Sequence, residues 1–231
     1  MKPIAVMVPC RAGSQRVKDK NTRPFGGREN GLLEIKLGQL CAMAEIDDVV
    51  VSTDDPKVME LAEGFRAHSL PRISVVERPP ELAVAATLDD FLAYVPTIMP
   101  EGSVVAWTHV TSPFFGRDWM AKAVAAYRTH VECGDHDSLM SVSAIQSFLW
   151  DEEKCISHDR SKVRWPQTQD LPRFFDVNSA LFMIDQAEFL RRRDRIGDRP
   201  FLLETDSLAG IDIDWPEDFE TASRIFQALD L

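Results

Sequence analysis

Short apolar runs alternate with amphipathic stretches along most of the chain. Ile4–Val8, Asp48–Ser52, Ile73–Val76, Ser103–Trp107, Ser138–Ser143 and Ala180–Ile184 have the length and apolar content of strands. The intervening stretches predict helices near Leu33–Ala44, Pro56–Phe65, Leu88–Ile98, Asp118–Val131, Gln186–Arg192 and Trp215–Leu229. Strands alternating with helices are the mark of βαβ units and a mainly parallel sheet. The last helix carries an entry signal, with Asp214 as N-cap and Pro216, Glu217 and Asp218 in its first turn. One stretch breaks the rhythm. Gln146–Phe175 is polar, holds Trp150 and Trp165 and has no helical period, which predicts a β-rich excursion from a single domain spanning 1–231. Its aromatics suit packing on a second subunit.

Composition narrows the class. A chain of 231 residues, 45% hydrophobic and 27% charged, can fill one ordered α/β core. No apolar run approaches the roughly 20 residues of a membrane span. The run after Lys2-Pro3 is too short for a signal-peptide core, so a buried strand and a cytoplasmic location are expected. Cys10, Cys41, Cys133 and Cys155 are scattered without a C-x-x-C pair and read as free thiols. A net charge of −11 argues against general nucleic-acid binding. It leaves phosphate ligands open, because those answer to the local field of a cleft.

That field reverses sign directly after the first strand. In Pro9-Cys10-Arg11-Ala12-Gly13-Ser14-Gln15-Arg16-Val17-Lys18-Asp19-Lys20-Asn21, followed by Arg23, five cations surround one Gly–Ser turn. Cations beside free backbone N–H groups suit a polyphosphate. The loop is neither a Walker A motif nor a G-x-G-x-x-G fingerprint. Near the other end, Asp212 and Asp214 stand two apart at an expected strand end, which puts both carboxylates on one face. Such a pair repels itself unless a cation or proton intervenes, and hard oxygen ligands beside a polyphosphate favour Mg²⁺. The histidines show no H-E-x-x-H spacing, so no zinc site is expected.

The run P-x-R-x-G-S-x-R-x-x-x-K-N with Arg23-Pro24-Phe25-Gly26-Gly27 resembles the opening of the acylneuraminate cytidylyltransferases, the CMP-sialic acid synthetase family. The likeness continues through Ser52-Thr53-Asp54, Arg78-Pro79-Pro80-Glu81-Leu82-Ala83 and Thr111-Ser112-Pro113. It ends with Gln169-Asp170-Leu171-Pro172 ahead of Asn178, and Ile211-Asp212-Ile213-Asp214 with Pro216-Glu217-Asp218. The resemblance implies a three-layer α/β sandwich like the nucleotide-diphosphosugar transferases, with 146–175 helping to form a homodimer. It implies transfer of CMP from CTP to the anomeric hydroxyl of an α-keto acid sugar, such as sialic, pseudaminic or legionaminic acid.

The same resemblance assigns roles. Arg11, Lys20 and Asp214 are the expected catalytic residues. Arg11, Ala12, Gly13, Ser14, Lys20, Asn21, Arg78, Thr111 and Ser112 are expected at the nucleotide, and Asp212 and Asp214 at Mg²⁺. Gln169, Asn178 and His109 are expected at the acceptor, with His109 standing where the family usually has Gln. Arg16 and Lys18 are equally readable as surface charges. No residue stands out as a general base.

Departures fall on the acceptor side. Family positions with a basic residue hold Thr168 and Asp176, leaving Lys162, Arg164 and Arg173 as the nearest substitutes. A usual acidic residue after Arg78 is replaced within Val84-Ala85-Ala86. The Gln169-Asp170-Leu171 run with Asp176 is closer to the pseudaminic acid branch. Three rival readings are a cytidylyltransferase for phosphonates, a glycosyltransferase using Asp212-Ile213-Asp214 as a D-x-D motif, and a nucleotide sensor without turnover.

Overall fold

All six expected strands form, and a seventh joins them. The computed structural model describes residues 1–83 and 87–231. Val84-Ala85-Ala86, where an acidic family residue is replaced, lies outside the described residues. The strands are β1 (Ile4–Pro9), β2 (Asp48–Thr53), β3 (Arg72–Glu77), β4 (Val104–Thr108), β5 (Ser138–Ile145), β6 (Phe174–Asp185) and β7 (Pro200–Thr205). They make one sheet in the order β3-β2-β1-β4-β6-β5-β7. β3, β2, β1 and β4 run parallel, β6 is antiparallel to both neighbours, and β7 is parallel to β5.

The central strands are visible in the sequence because both their faces are covered, which demands near-continuous apolar runs. Along β1, Ile4, Val6 and Val8 join one core while Ala5 and Met7 join the other. The first core receives α1 (Gly31–Cys41), α2 (Pro56–Arg66), α5 (Arg117–Tyr127) and α7 (Pro216–Ala228). The second receives α4 (Leu88–Ile98) and α6 (Gln186–Arg192) through Phe91, Leu92, Val95 and Phe189. A one-turn α3 (Pro80–Ala83) precedes α4. Helix, sheet and helix thus form the three layers the sequence led one to expect.

Several boundaries move for local reasons. α5 is shorter than expected and passes into a π-helical turn at Arg128–Glu132. α1 begins at Gly31, two residues early; Gly31 sits at φ +63°, and a Cβ there would collide with the Arg23 carbonyl oxygen. Gly31→Ala is therefore expected to cost about 2 kcal/mol or more of stability, read from the urea midpoint. An unshifted midpoint would mean the turn can open without loss.

The excursion is less regular than predicted. Within 146–175 the described structure holds an isolated bridge between Trp150 and Cys155 and one 3₁₀ turn at Thr168–Asp170. The β character lies at its margins, where Ile145 and Ala144 pair with Phe174 and Phe175. Side chains hold the rest. Gln146 Nε2 donates to the carbonyls of Gln169 (3.1 Å) and Leu171 (2.8 Å), and Arg160 lies between the Trp150 and Trp165 rings.

Candidate active site

The strand order reverses direction at β1, with β2 on one side and β4 on the other. Loops leaving the carboxyl ends of such neighbouring strands diverge and open a crevice. Here a cavity of about 660 Å³ lies between the cationic loop after β1 and the turn after β4. Arg11, Ser14, Lys20 and Asn21 enter it from the first loop, His109 and Thr111 from the second, and Asp212 and Asp214 from the segment before α7.

Local hydrogen bonds hold the first loop open. The Ala12 N–H donates to Asp54 Oδ1 (2.8 Å), and Asn21 Nδ2 donates to the Arg11 carbonyl (3.2 Å). Asn21's own carbonyl accepts from the Leu33 N–H at 2.9 Å, tying the loop to α1. Asp54 thus positions the loop, and the Ala12 N–H expected at the nucleotide is already committed. Gly13, at φ +70°, has open space above its Cα.

The second loop is braced from behind. Lys36, fully buried on α1, donates to the carbonyls of Ser112 (3.0 Å) and Phe115 (2.8 Å), while burial pulls its pKa down to about 7. Thr111 faces the cavity. Ser112 does not: it is buried behind the turn, with an unpartnered hydroxyl.

The two ends of the polypeptide meet here. Ile213 N–H donates to the Thr111 carbonyl at 2.9 Å, and Lys20 Nζ donates to the Ile213 carbonyl at 2.8 Å. Lys20 Nζ stands 3.9 Å and Arg16 Nη2 3.2 Å from Asp214 Oδ1. Arg16 is half-exposed and rests over Trp215 at 4.9 Å, so its ion pair contributes little; Lys20 is only 14% exposed. Lys18 is exposed and away from the cavity wall.

Two expectations about the acidic segment need correction. Residues 211–214 do not form a strand; they run outside the ladder, held by the Ile213–Thr111 bond. Nor does Asp214 cap α7. Trp215 is the N-cap, and the Asp218 carboxylate reaches back to the N–H groups of Asp214 (3.1 Å) and Trp215 (2.8 Å). That reversal frees the Asp214 carboxylate for the cavity.

Burial raises the Asp212 pKa, with Asp214's charge adding to it and the Thr111 hydroxyl and Lys20 opposing. Burial lowers that of Lys20, with Asp214 and Asp212 opposing. Asp212 Oδ1 is buried with no hydrogen-bond partner. An orphaned carboxylate oxygen beside a second carboxylate fits a hard divalent cation such as Mg²⁺. Among the described residues no cluster of three or more ligating side chains exists, so remaining ligands would be phosphate oxygens and water.

Other expected residues lie elsewhere. Arg78 is buried, donates to the Ser52 carbonyl at 3.2 Å and stacks on Phe91 at 4.2 Å, outside the cavity wall. Asn178 spends its amide inside the sheet, accepting from Ser141 Oγ (2.7 Å) and donating to Ser143 Oγ (3.0 Å) and Thr205 Oγ1 (2.8 Å). Ser179, at φ +60°, lines the cavity in its place. Gln169 is exposed in the excursion and pairs with Gln167. Lys162 and Arg173 are taken up by Asp159 and Glu204. Arg195, which no sequence signal singled out, is in the wall.

His109 does reach the cavity. Its Nε2 accepts from Trp107 Nε1 at 3.0 Å, which leaves the proton on Nδ1. Burial, with the positive charges of Arg195, Lys36 and Lys20, pulls its pKa from 6.5 to about 3. The unfolded chain therefore binds the extra proton in that window, and wild type loses stability as pH falls through it. His109→Gln abolishes this contribution, so wild type should weaken relative to the variant when urea midpoints are followed from about pH 7 to about pH 4. Parallel curves would place the imidazole in contact with water.

Comparison with known proteins identifies the family and the fold. A family model described as Cytidylyltransferase matches residues 5–228. N-acylneuraminate cytidylyltransferase of Streptococcus agalactiae serotype V is 28% identical over 228 residues, covering 95% of this chain and 52% of that protein. The serotype III protein of the same name is 28% identical over 227 residues, with the same coverage. The chain thus spans about half the length of the curated relatives it matches. Among solved structures, CMP:2-keto-3-deoxy-manno-octonic acid synthetase complexed with CTP superposes with a TM-score of 0.66 at 13% identity, covering 99% of this chain and 100% of that one. A 4-diphosphocytidyl-2C-methyl-D-erythritol synthase from Anaerococcus prevotii gives 0.64 at 15% identity, covering 98% and 99%. These structures share the fold. With the family model spanning nearly every residue from β1 to α7, the chain belongs to the cytidylyltransferase family.

Proposed function

We propose that this chain transfers CMP from CTP to the anomeric hydroxyl of an α-keto acid sugar, releasing pyrophosphate. The observation that carries the reading is the meeting of Lys20 with Asp212 and Asp214 in one cavity, in a member of the cytidylyltransferase family. In-line attack on the α-phosphorus spreads negative charge over the phosphoryl oxygens and the departing pyrophosphate. Lys20 and Arg11 are placed as preorganised cations for that charge, in a cavity where water competes less. Ser14 and the backbone near Gly13 line the polyphosphate, and Asn21 the ribose side. Asp212 and Asp214 would hold Mg²⁺, which neutralises the triphosphate when bound. His109, with a pKa of about 3, is a poor base near neutral pH and serves to hold position.

The reading includes a cytoplasmic enzyme acting as a homodimer. No described helix is long and apolar enough to cross a membrane. Trp150, Ile156, Val163 and Trp165 on the excursion are about half exposed, a patch suited to a second copy. Light scattering that gives the monomer mass across micromolar concentrations would remove the dimer.

The test is pyrophosphate release with each of the four NTPs, Mg²⁺ and a panel of acceptors. Release that needs both CTP and a keto-acid sugar is the expected result. Release only with a phosphonate changes the acceptor class, and nucleoside diphosphate freed from a sugar nucleotide replaces the reading with a D-x-D glycosyltransferase. Tight CTP binding without turnover on any acceptor leaves a sensor.

A further inference from the structure

Arg195 lies in the turn after α6 and enters the cavity wall near His109 and Ser179. Its guanidinium carbon stands 3.8 Å from the ring centroid of Phe182 and 5.3 Å from that of Trp107. Those two side chains are direct cross-strand partners on β6 and β4. They form an aromatic floor that fixes the guanidinium in place without neutralising it.

Its chain neighbours are differently placed. Arg191 pairs with Glu188, and Arg192 with Glu188, Asp137 and Asp198. Arg195 has no ion pair or side-chain hydrogen bond among the described residues; the carboxylate acting on it is adjacent Asp194, beyond ion-pair range. A desolvated guanidinium with all its donors unspent is costly until an anion arrives. The triphosphate already has Arg11 and Lys20, which enter from a different loop. Of the cations expected for the acceptor's acid group, none of Lys162, Arg164 and Arg173 lines the cavity, and Lys162 and Arg173 face Asp159 and Glu204.

We propose that Arg195 binds the acid group of the acceptor and thereby sets the acceptor class. Its planar fork matches a carboxylate bidentately, and the aromatic floor presents that fork to the cavity. The inference rests on the nucleotidyl-transfer reading above, and the experiment separates the two.

CTP with Mg²⁺ is first titrated alone against wild type, Arg195→Gln and Arg195→Lys, following thermal unfolding. Absence of a CTP shift in wild type overturns the transfer reading itself, and this assignment with it. Pyrophosphate release is then followed with N-acetylneuraminic acid, its methyl ester, 2-keto-3-deoxy-manno-octonic acid and 2-aminoethylphosphonate. For whichever acid is turned over, Arg195→Gln should raise KM about 30-fold while CTP affinity stays within about twofold. Arg195→Lys should recover part of that loss, and the methyl ester should be used equally poorly by wild type and Arg195→Gln. If the phosphonate is preferred, the same KM rise for it in Arg195→Gln keeps Arg195 as the anion's partner, and an unchanged KM overturns the assignment. Four results overturn the assignment: unchanged KM, weakened CTP binding, equal loss for acid and ester, or CTP binding without use of any acid.

Discussion

Lys20→Ala should lower kcat by about two powers of ten or more while leaving the chain folded, by analogy with removing one oxyanion donor. The side chain is only 14% exposed, and its Nζ is fixed 2.8 Å from the Ile213 carbonyl and 3.9 Å from Asp214. A donor so held needs little reorganisation when charge develops on the α-phosphate. The loss should therefore fall on kcat more than on KM, because ground-state CTP still has Arg11. Lys20 also ties the first loop to the last segment, and a purely structural role would appear in the urea midpoint instead. Ile213 is buried, so losing this charge-assisted donor should cost about 1–3 kcal/mol of stability, not the fold. Lys20→Arg keeps the charge with a different reach and should recover part of the rate. Unchanged turnover in the alanine variant would remove Lys20 from the mechanism.

Asp212→Asn and Asp214→Asn should each lower activity by about three powers of ten at saturating CTP, if the pair holds the metal. Their stabilities should behave differently from their rates. Burial raises the Asp212 pKa above its unfolded value, so the folded chain binds that proton more tightly. Its contribution is present at low pH and lost as pH rises through the folded pKa. Asp212→Asn removes that slope, so the variant should match or exceed wild type in unfolding midpoint near neutral pH. Mg²⁺ alone should then raise the wild-type midpoint and leave both variants unmoved. An equal Mg²⁺ response in all three would take the pair out of metal binding.

The sheet was legible because its central strands are buried on both faces. β1 and β4 read as near-continuous apolar runs, whereas the strand order that sets the crevice came only from the structure. β7 was not legible, since Phe201-Leu202-Leu203 is short, only half-buried, and opens on Pro200 at the margin of the sheet. The cationic loop stood out through charge reversal, and the acidic pair through its two-residue spacing. Their supports did not: Lys36 looks like any helical lysine until α1 is found to be buried around it. Asn178 misled for the opposite reason. An amide before an apolar strand looks available, yet the β5–β6–β7 pairing supplies three hydroxyls that take up its polar atoms.

By itself the sequence determined the α/β layering, a cation-rich loop after the first strand, and an acidic pair near the other end. These depend on residue type and period, which are local properties. Only the tertiary structure decided which groups share a cavity. The Ile213–Thr111 bond carries Asp214 to Lys20 across nearly the whole chain, and the Asp218 carboxylate takes over the capping that would have occupied Asp214. Within the basic segment Arg191–Arg195, charge alone makes the arginines equivalent. What sets Arg195 apart is an aromatic floor built by β4 and β6, and contacts between residues so distant in sequence leave no periodic trace.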